Sequence, residues 1–424
     1  MFFSNIIKAF KIKDLRQRIL LVFGVFIVFR IMANIPVPGV DSEKLKAFFE
    51  QFQMLGLFNV FSGGTLQNLS IIMLGIGPYI TGTIVLQLLS MIFPALEKMS
   101  KEGGEVGREK FNQYGRILTI PLAIFQGYSM LGLLSRQEVI GKLSFFSLTT
   151  SVITITAGTV FLMWLGELLT DKGVGNGTSL LIFAGIVSRF PQNVLQTYLS
   201  FKMQPEQIIP YIFFFIAAFI LILTVVIITQ AKRNIPITYA RRVRGRKMFG
   251  GSKSQLPLSI NAGGVMPIIF ALSLLTLPGM LANFFVNRTD LLGQVALKIV
   301  ELSQNYFFYS LSYFILVLLF TFFYTSIVFD PISIAENLRK SGGFIPGCRP
   351  GKPTSDFLQF TLNRILPIGA LFLGLVALAP SLVGRLTGIA SFEFLVGGTS
   401  LLILVSVVLE SYEEVKAHLE MQEL

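Results

Sequence analysis

The sequence predicts an all-α polytopic membrane protein in which ten helices cross the bilayer. Of its 424 residues, 53% are hydrophobic and only 14% are charged, whereas about a quarter of the residues of an ordinary soluble domain are charged. The apolar residues fall in blocks of about 20, the length that a helix needs to cross the hydrocarbon core of a bilayer. A soluble helical core would instead alternate apolar and polar residues at the helical period.

Ten such blocks follow one another along the chain. They cover residues 19–36, 71–95, 117–134, 150–170, 178–197, 208–229, 260–285, 306–328, 364–384 and 392–411. Several cations precede the first block, which has no convincing small-residue cleavage site, so we expect the N-terminus to be retained inside.

The basic residues test this orientation. The segments on the inner side of the ten blocks hold 24 of the Lys and Arg residues, and the segments on the outer side hold eight. An excess of cations marks the cytoplasmic side of a membrane protein. Both termini are therefore predicted to be cytoplasmic.

The chain divides at the loop 200–207, which has five blocks before it and five after it. An odd number of spans in each half makes the second half enter the membrane from the opposite side. The sequence therefore predicts two inverted five-helix halves, residues 1–200 and 201–424, with the working site between them near mid-membrane.

One stretch interrupts this regular pattern. Leu57, Phe58 and Phe61 are spaced as on one face of a short helix, which Ser62, Gly63 and Gly64 then break. We expect a half-helix followed by a full span at 71–95. Irregular backbone at membrane depth is tolerated only against protein or a water-filled cavity, so this stretch predicts a pore or a substrate site.

Two inner loops are long and carry charge. Residues 230–258 contain eight cations, and Ile235–Ala240 within them could form a short β-hairpin arm before Gly250 and Gly251. Residues 330–362 form the second loop. The cations could simply fix the topology, but eight in one loop exceed that need and would attract an acidic partner or RNA phosphates.

The residue inventory excludes several chemistries. Cys348 and His418 are the only cysteine and histidine, so the chain lacks a disulfide, a Cys/His metal cluster and a hydrolytic triad. Residues 173–177 read as a tight turn between helices, and residues 347–352 lack the spacing of a phosphate-binding loop. We therefore expect no cofactor, no metal and no enzymatic activity.

A few polar residues lie within apolar blocks. Gln87, Gln126 and Asn261 are expected to form hydrogen bonds between helices, and such bonds can also hold shut an interface that must open. Arg30 and Glu167 lie near the ends of blocks, where snorkelling to water is adequate.

Several separate strings, in order along the whole chain, resemble the SecY family of channel subunits of the bacterial protein translocase. They are Asn34-Ile-Pro-Val-Pro-Gly39, Phe61-Ser-Gly-Gly64, Leu74-Gly-Ile-Gly-Pro-Tyr-Ile80, Gly175-Asn-Gly-Thr-Ser-Leu180, Phe344-Ile-Pro-Gly-Cys-Arg-Pro-Gly351 and Gly397-Gly-Thr-Ser-Leu-Leu-Ile403. The resemblance implies two halves that are hinged on one side and can part on the other. Cys348 replaces the more usual aliphatic residue of its string.

The resemblance also implies a pore ring of six apolar side chains and a displaceable plug beneath it. The ring corresponds to Ile76, Ile80, Ile182, Ile186, Ile269 and Ile403, and the plug to the short half-helix at about 57–66, with Leu57, Phe58, Phe61, Ser62, Gly63 and Gly64. Branched aliphatic side chains would make a compliant, dewetted collar that gives a moving peptide no fixed hydrogen-bond partner. The isoleucine spacing alone could not have selected these residues.

The remaining implied features are a lateral gate, a docking face and partners. The gate would lie between spans two and three and spans seven and eight, with Gln87, Gln126 and Asn261 as its polar cluster. The docking residues for the motor ATPase SecA or the ribosome would be Arg241, Arg242, Arg244, Arg246, Lys247 and Arg349. SecE and SecG are the implied membrane partners, and the substrate would be an unfolded polypeptide with a signal sequence.

Two other functions remain open at this point. A secondary transporter also uses inverted repeats and broken helices, but it would place ionisable residues at the midplane, where this chain has few. An intramembrane hydrolase is disfavoured by the absence of a suitable histidine and of paired carboxylates within the spans.

Overall fold

The computed structural model describes residues 10–37, 65, 69–101, 103–136, 140, 144–203, 208–239, 242–244, 247–249, 253–261, 263–286, 290–387 and 398–423. Most of these residues are helical. The helices of the first half are α1 (Lys13–Ala33), α2 (Gly77–Ile92), α3 (Pro94–Lys101), α4 (Gly104–Arg136), α5 (Phe145–Lys172) and α6 (Gly177–Met203). Those of the second half are α7 (Ile208–Gln230), α8 (Met266–Phe285), α9 (Leu291–Gln304), α10 (Tyr306–Val328), α11 (Pro331–Lys340), α12 (Lys352–Thr387) and α13 (Gly398–Glu423).

The apolar helices confirm that this is a membrane protein. Four helical stretches of the described chain are long and apolar enough to cross a bilayer, at Gly104–Ser135, Phe145–Lys172, Phe307–Lys340 and Lys352–Ala379. Shorter apolar helices lie at Gly77–Ile92, Phe215–Gln230 and Met266–Gly279. Large apolar side chains such as Phe215 and Phe219 are exposed on α7, as lipid contact requires.

The second apolar block is only partly helical. We expected a span over 71–95, but residues 71–76 form turns and α2 begins at Gly77. Gly75 has a φ of +57°, which an L side chain rarely adopts, and Pro78 suits only the first turn of a helix. The predicted break at 62–64 lies outside the described residues, and the structure instead has irregular backbone at 71–76, where a continuous span was expected.

Protein surrounds this irregular segment. Ile72, Met73 and Leu74 are fully buried or nearly so. The backbone N–H of Ile71 donates to the carbonyl of Ile35 (3.0 Å), and Val37 N–H donates to the carbonyl of Leu69 (2.8 Å). These bonds tie the segment to the chain that follows α1 and satisfy polar groups that a bilayer could not.

Two seams join the halves. At one seam α8 packs against α2 and α4, and at the other α13 packs against α6. A large apolar core extends through both halves, from Phe29 of α1 to Leu373 of α12 and Ile403 of α13. The arrangement positions residues of both halves around one apolar centre.

The basic loop contains the β-arm, here defined as β1 (Lys232–Tyr239), β2 (Arg242–Arg244), β3 (Lys247–Phe249) and β4 (Lys253–Ser259). β1 pairs antiparallel with β4 from Lys232 opposite Ser259 to Thr238 opposite Lys253, and β2 pairs with β3. A further strand, β5 (Gly343–Phe344), joins β1. The prediction that this loop contains a β-hairpin is confirmed, but the arm continues beyond Gly250 and Gly251. The predicted all-α fold class did not include this sheet.

A tight turn connects α5 to α6 and fixes the start of α6. Asn176 Oδ1 accepts hydrogen bonds from the backbone N–H of Thr178 (3.1 Å) and Ser179 (3.2 Å), which caps α6. The N–H of Gly177 donates to Thr170 Oγ1 at 3.0 Å. The prediction of a helix-to-helix turn at 173–177 is confirmed.

Replacing Gly177 by Ala should destabilise the protein. A methyl group there would collide with the carbonyl oxygen of Gly166 and with Leu169, so α5 and α6 would have to move apart. Overpacking of this kind typically costs about 1–3 kcal/mol, which thermal unfolding in detergent would detect as a lower Tm. Gly24→Ala is the matched control, because no atom lies within 4 Å of its added methyl group. Equal Tm values for the two variants would contradict the close contact.

Candidate functional site

Six isoleucines from four parts of the chain lie in one apolar cluster, here called the collar. Ile76 immediately precedes α2 and Ile80 belongs to it. The other members are Ile182 and Ile186 of α6, Ile269 of α8 and Ile403 of α13. Ile76, Ile182, Ile269 and Ile403 are at most 4% exposed, and Ile80 and Ile186 are partly buried against the same cluster.

The collar draws on both halves of the chain. Four of its side chains come from the first half and two from the second. Each ends in branched aliphatic carbon, without a charge or a hydrogen-bonding group that could hold water or ions. The side chains can also be displaced from one another without breaking a polar bond. Such a cluster can seal a membrane at rest and yield to a chain inserted between the halves.

The three amides, Gln87 in α2, Gln126 in α4 and Asn261 before α8, belong to elements of the first seam between the halves. Gln126 and Asn261 are buried, and Gln87 is partly buried. Within the described residues, Oε1 of Gln87, Oε1 of Gln126 and both polar atoms of the Asn261 side chain have no hydrogen-bond partner. The prediction that these amides form hydrogen bonds between helices is therefore wrong for these four atoms.

These amides have an energetic consequence for the seam. A buried polar group without a partner costs about 1–3 kcal/mol. Unpartnered amides in the contact of α8 with α2 and α4 would make that contact less stable than a fully apolar one.

A polar link that was not predicted joins helices within the first half. Arg116 Nε of α4 donates to Glu167 Oε1 of α5 at 2.7 Å, and Tyr79 of α2 is within hydrogen-bonding reach of the same carboxylate. Snorkelling was the expectation for Glu167, but it pairs with a residue 51 positions away. This pairing links α4 to α5, with Tyr79 of α2 beside it.

Cationic residues of the two inner loops lie on the β-arm and in a turn that follows β5. Arg242 and Arg244 belong to β2, and Lys247 belongs to β3, paired with Arg244. Arg349 is exposed in the turn after β5, where its carbonyl accepts a hydrogen bond from Thr354 Oγ1 at 2.8 Å. The pairing of β5 with β1 joins this turn to the β-arm. Arg241 and Arg246 lie outside the described residues.

Most of the predicted plug at 57–66 lies outside the described residues, and only Thr65 of it is described. The residues outside include Leu57, Phe58, Phe61, Ser62, Gly63 and Gly64. The next described residue, Thr65, is fully buried, and its carbonyl accepts a hydrogen bond from Ser70 N–H at 3.0 Å. The chain that follows the predicted plug therefore leads into the irregular segment that ends at Ile76.

A family model supplies the decisive comparison, since the model named SecY matches residues 70–412. The chain belongs to the SecY family. The matched region contains every collar residue, all three amides and the whole β-arm.

Curated SecY relatives match along nearly the full chain. The protein translocase subunit SecY of Thermus thermophilus is 42% identical over 420 residues, which cover 97% of this chain and 94% of the relative. The subunit of Thermotoga maritima is 41% identical over 427 residues, which cover 98% and 95%. The subunit of Streptomyces griseus is 39% identical over 431 residues, which cover 99% and 98%.

Solved structures show the same fold at lower identity. A protein-conducting channel aligns with a TM-score of 0.67 at 20% identity, covering 96% of this chain and 93% of that one. Sec61 in the canine ribosome–channel complex aligns with a TM-score of 0.64 at 18% identity, covering 96% and 93%. The SecY family fold therefore extends across almost the whole chain.

Proposed function

We propose that this chain is the protein-conducting channel of a bacterial translocase. It moves unfolded polypeptides across the cytoplasmic membrane and releases apolar segments sideways into lipid. The observation that carries this proposal is the collar, in which four buried and two partly buried isoleucines of both halves belong to one apolar core. The translocase names of relatives about 40% identical over nearly the full chain also support it.

In this proposal ten helices cross the membrane as two inverted halves, residues 1–200 and 201–424. A helix occupies most of each of the ten predicted blocks, in the order α1, α2, α4, α5, α6, α7, α8, α10, α12 and α13. The excess of cations in the inner loops supports an orientation with both termini in the cytoplasm.

The gate and the plug complete the channel. The lateral gate lies at the first seam, between α2 and α4 on one side and α8 and α10 on the other, with Gln87, Gln126 and Asn261 inside it. The short half-helix at about 57–66 is the plug that packs beneath the collar at rest. The burial of Thr65, and its hydrogen bond from Ser70 N–H at the start of the buried segment that ends at Ile76, support this placement.

Energy for transport comes from partners in this proposal. The β-arm and the turn at Arg349 dock SecA or the ribosome, and SecE and SecG are the membrane partners. The joined strands β1 and β5 support a single docking face, and the similarity to Sec61 in a ribosome complex supports the ribosome. Partner binding that favours the open state about ten-thousandfold would move the channel from roughly 1% to 99% open.

A stalled, extended substrate tests the channel directly. A photoreactive residue at position 76 should cross-link to a secretory chain halted in transit, because the collar surrounds the passing chain. The matched control is position 162, since Leu162 is buried in the same core but is not a collar residue. Cross-linking at both positions, or at neither, would contradict the collar as the path.

Deleting the plug separates a channel from a transporter. Vesicles containing protein that lacks residues 57–66 should leak ions, because the plug would no longer help the collar to close the pore. Saturable uptake of a small solute without ion leak would favour the transporter.

Reversing the charge of Arg349 should impair motor-driven export and leave the protein's abundance near normal. Its side chain is exposed, so Arg349→Glu disturbs little packing but repels an acidic docking surface. Export by SecA-containing vesicles and quantitative immunoblotting would measure the two effects. Arg339→Glu is the matched control, an exposed charge reversal on α11. Equal export defects in both variants would indicate general charge loss, and loss of protein would indicate a structural role.

A further inference from the structure

The helix α9, between α8 and α10, has three distinct faces. At 100° per residue, Leu291, Val295 and Leu302 fall within about 40° of one another. All three are exposed, at 79%, 55% and 43%. The polar residues Gln294, Lys298 and Glu301 are also exposed, and they share an adjacent face about 60° wide that begins about 20° from Leu291. Gly293 and Ala296 lie on a third, buried face. Two further exposed leucines, Leu292 (56%) and Leu297 (51%), lie on either side of the buried face.

The connections of α9 fix its level relative to the membrane. A single residue, Asn305, separates α9 from α10. Its backbone N–H donates to the carbonyls of Glu301 (3.1 Å) and Leu302 (3.2 Å) at the end of α9. Its side-chain Oδ1 accepts from the N–H groups of Phe307 (3.1 Å) and Phe308 (3.4 Å). Asn305 thus caps both the C-terminus of α9 and the N-terminus of α10.

This corner holds α9 beside the first turn of an apolar helix. Phe307, in that first turn, is 74% exposed. α9 packs against α8 as well as α10, so its buried face is already occupied by the protein. Its exposed apolar face therefore lies at the level where these two helices leave the hydrocarbon.

We propose that α9 is an in-plane membrane anchor, whose exposed apolar face inserts into the lipid at the boundary between headgroups and acyl chains. Adjacent apolar and charged faces are characteristic of helices that lie in a membrane interface. Water would favour the face with Lys298, and lipid the face with Leu291. The anchor holds the ends of α8 and α10, the two helices on one side of the first seam, at one depth. The depth of α9 rests on α8 and α10 crossing the membrane, as in the topology proposed above, and so does its assignment to the outer leaflet.

Tryptophan scanning of the full-length protein tests the anchor. Trp164 is the only tryptophan and is 53% exposed, so Trp164→Phe gives a background protein without tryptophan fluorescence. Val295→Trp and Leu302→Trp would report from the apolar face, and Gln294→Trp and Lys298→Trp are their matched controls on the polar face. Each variant is placed in phosphatidylcholine–phosphatidylglycerol vesicles with and without acyl-brominated lipid. Thermal unfolding identifies any variant that fails to fold.

Bromine should quench tryptophan at 295 and 302 at least about twofold more than at 294 and 298, and iodide in the water should show the opposite preference. Equal quenching of the two faces would overturn the proposal. Shielding of positions 295 and 302 from both bromine and iodide would also overturn it, because a second copy or another protein would then cover this face. These outcomes do not depend on transport, so they remain distinct from a failure of the channel proposal.

Discussion

Replacing Ile403 by Asn is expected to make the resting channel leak ions. Ile403 is fully buried within the collar, and an amide there would hold water among the aliphatic side chains of the collar. Burial of an isoleucine side chain is worth about 1.5–3 kcal/mol, and each 1.36 kcal/mol removed from a barrier raises a rate tenfold. If the barrier to ions falls by that amount, the leak should rise about 10- to 100-fold.

Ion flux into vesicles, measured without substrate or motor, would give this leak directly. A leaky collar should also relax the discrimination between good and poor signal sequences, because less partner binding is then needed to open it. Ile76→Asn should behave in the same way, since Ile76 belongs to the same cluster.

Leu402→Asn is the matched control for Ile403→Asn. Leu402 is the neighbouring residue on α13 and is also fully buried in the core, but it is not a collar residue. Its replacement should lower the Tm without opening an ion path. An equal leak in both variants would show that general destabilisation, not the collar, controls ion flow. Unchanged flux in a folded Ile403→Asn protein would contradict the collar assignment itself.

Much of the fold could be predicted because the bilayer imposes a length and a composition on each span. α10 (Tyr306–Val328) coincides with its predicted block at 306–328. The prediction was less accurate for α12, which begins at Lys352 rather than 364, because the polar turns that continue it into water carry no apolar signal. The predicted start of the second span, at residue 71, was wrong for the opposite reason, since residues 71–76 are apolar but not helical and α2 begins at Gly77.

The site could be predicted only in part. Ile76 and Ile182 are chemically ordinary, and the resemblance of whole strings, not their spacing, singled them out. The ion pair of Arg116 with Glu167 has no local signature, because its members are 51 residues apart on different helices. α9 was missed as an element because its 14 residues are too short for a span and its polar residues break the apolar run.

The second large effect is expected at the seam, where Asn261→Leu should hold the gate closed. Leucine has nearly the shape of asparagine without its polar atoms, both of which lack a partner among the described residues. Removing a desolvation cost of about 1–3 kcal/mol from the closed state would lower the ratio of open to closed channels about 5- to 150-fold. If opening returns the amide to water in the pore, the open state gains nothing from the leucine.

Export of substrates with weak signal sequences should therefore slow most, because strong signals supply more energy for opening. Disulfide cross-linking between cysteines placed on α2 and α8 would report the closed population independently of transport. Gln230→Leu, at the exposed end of α7, is the control for the same kind of change outside the seam. Faster export of weak signals in Asn261→Leu, with the cross-linked fraction reduced, would mean that the asparagine stabilises the closed gate.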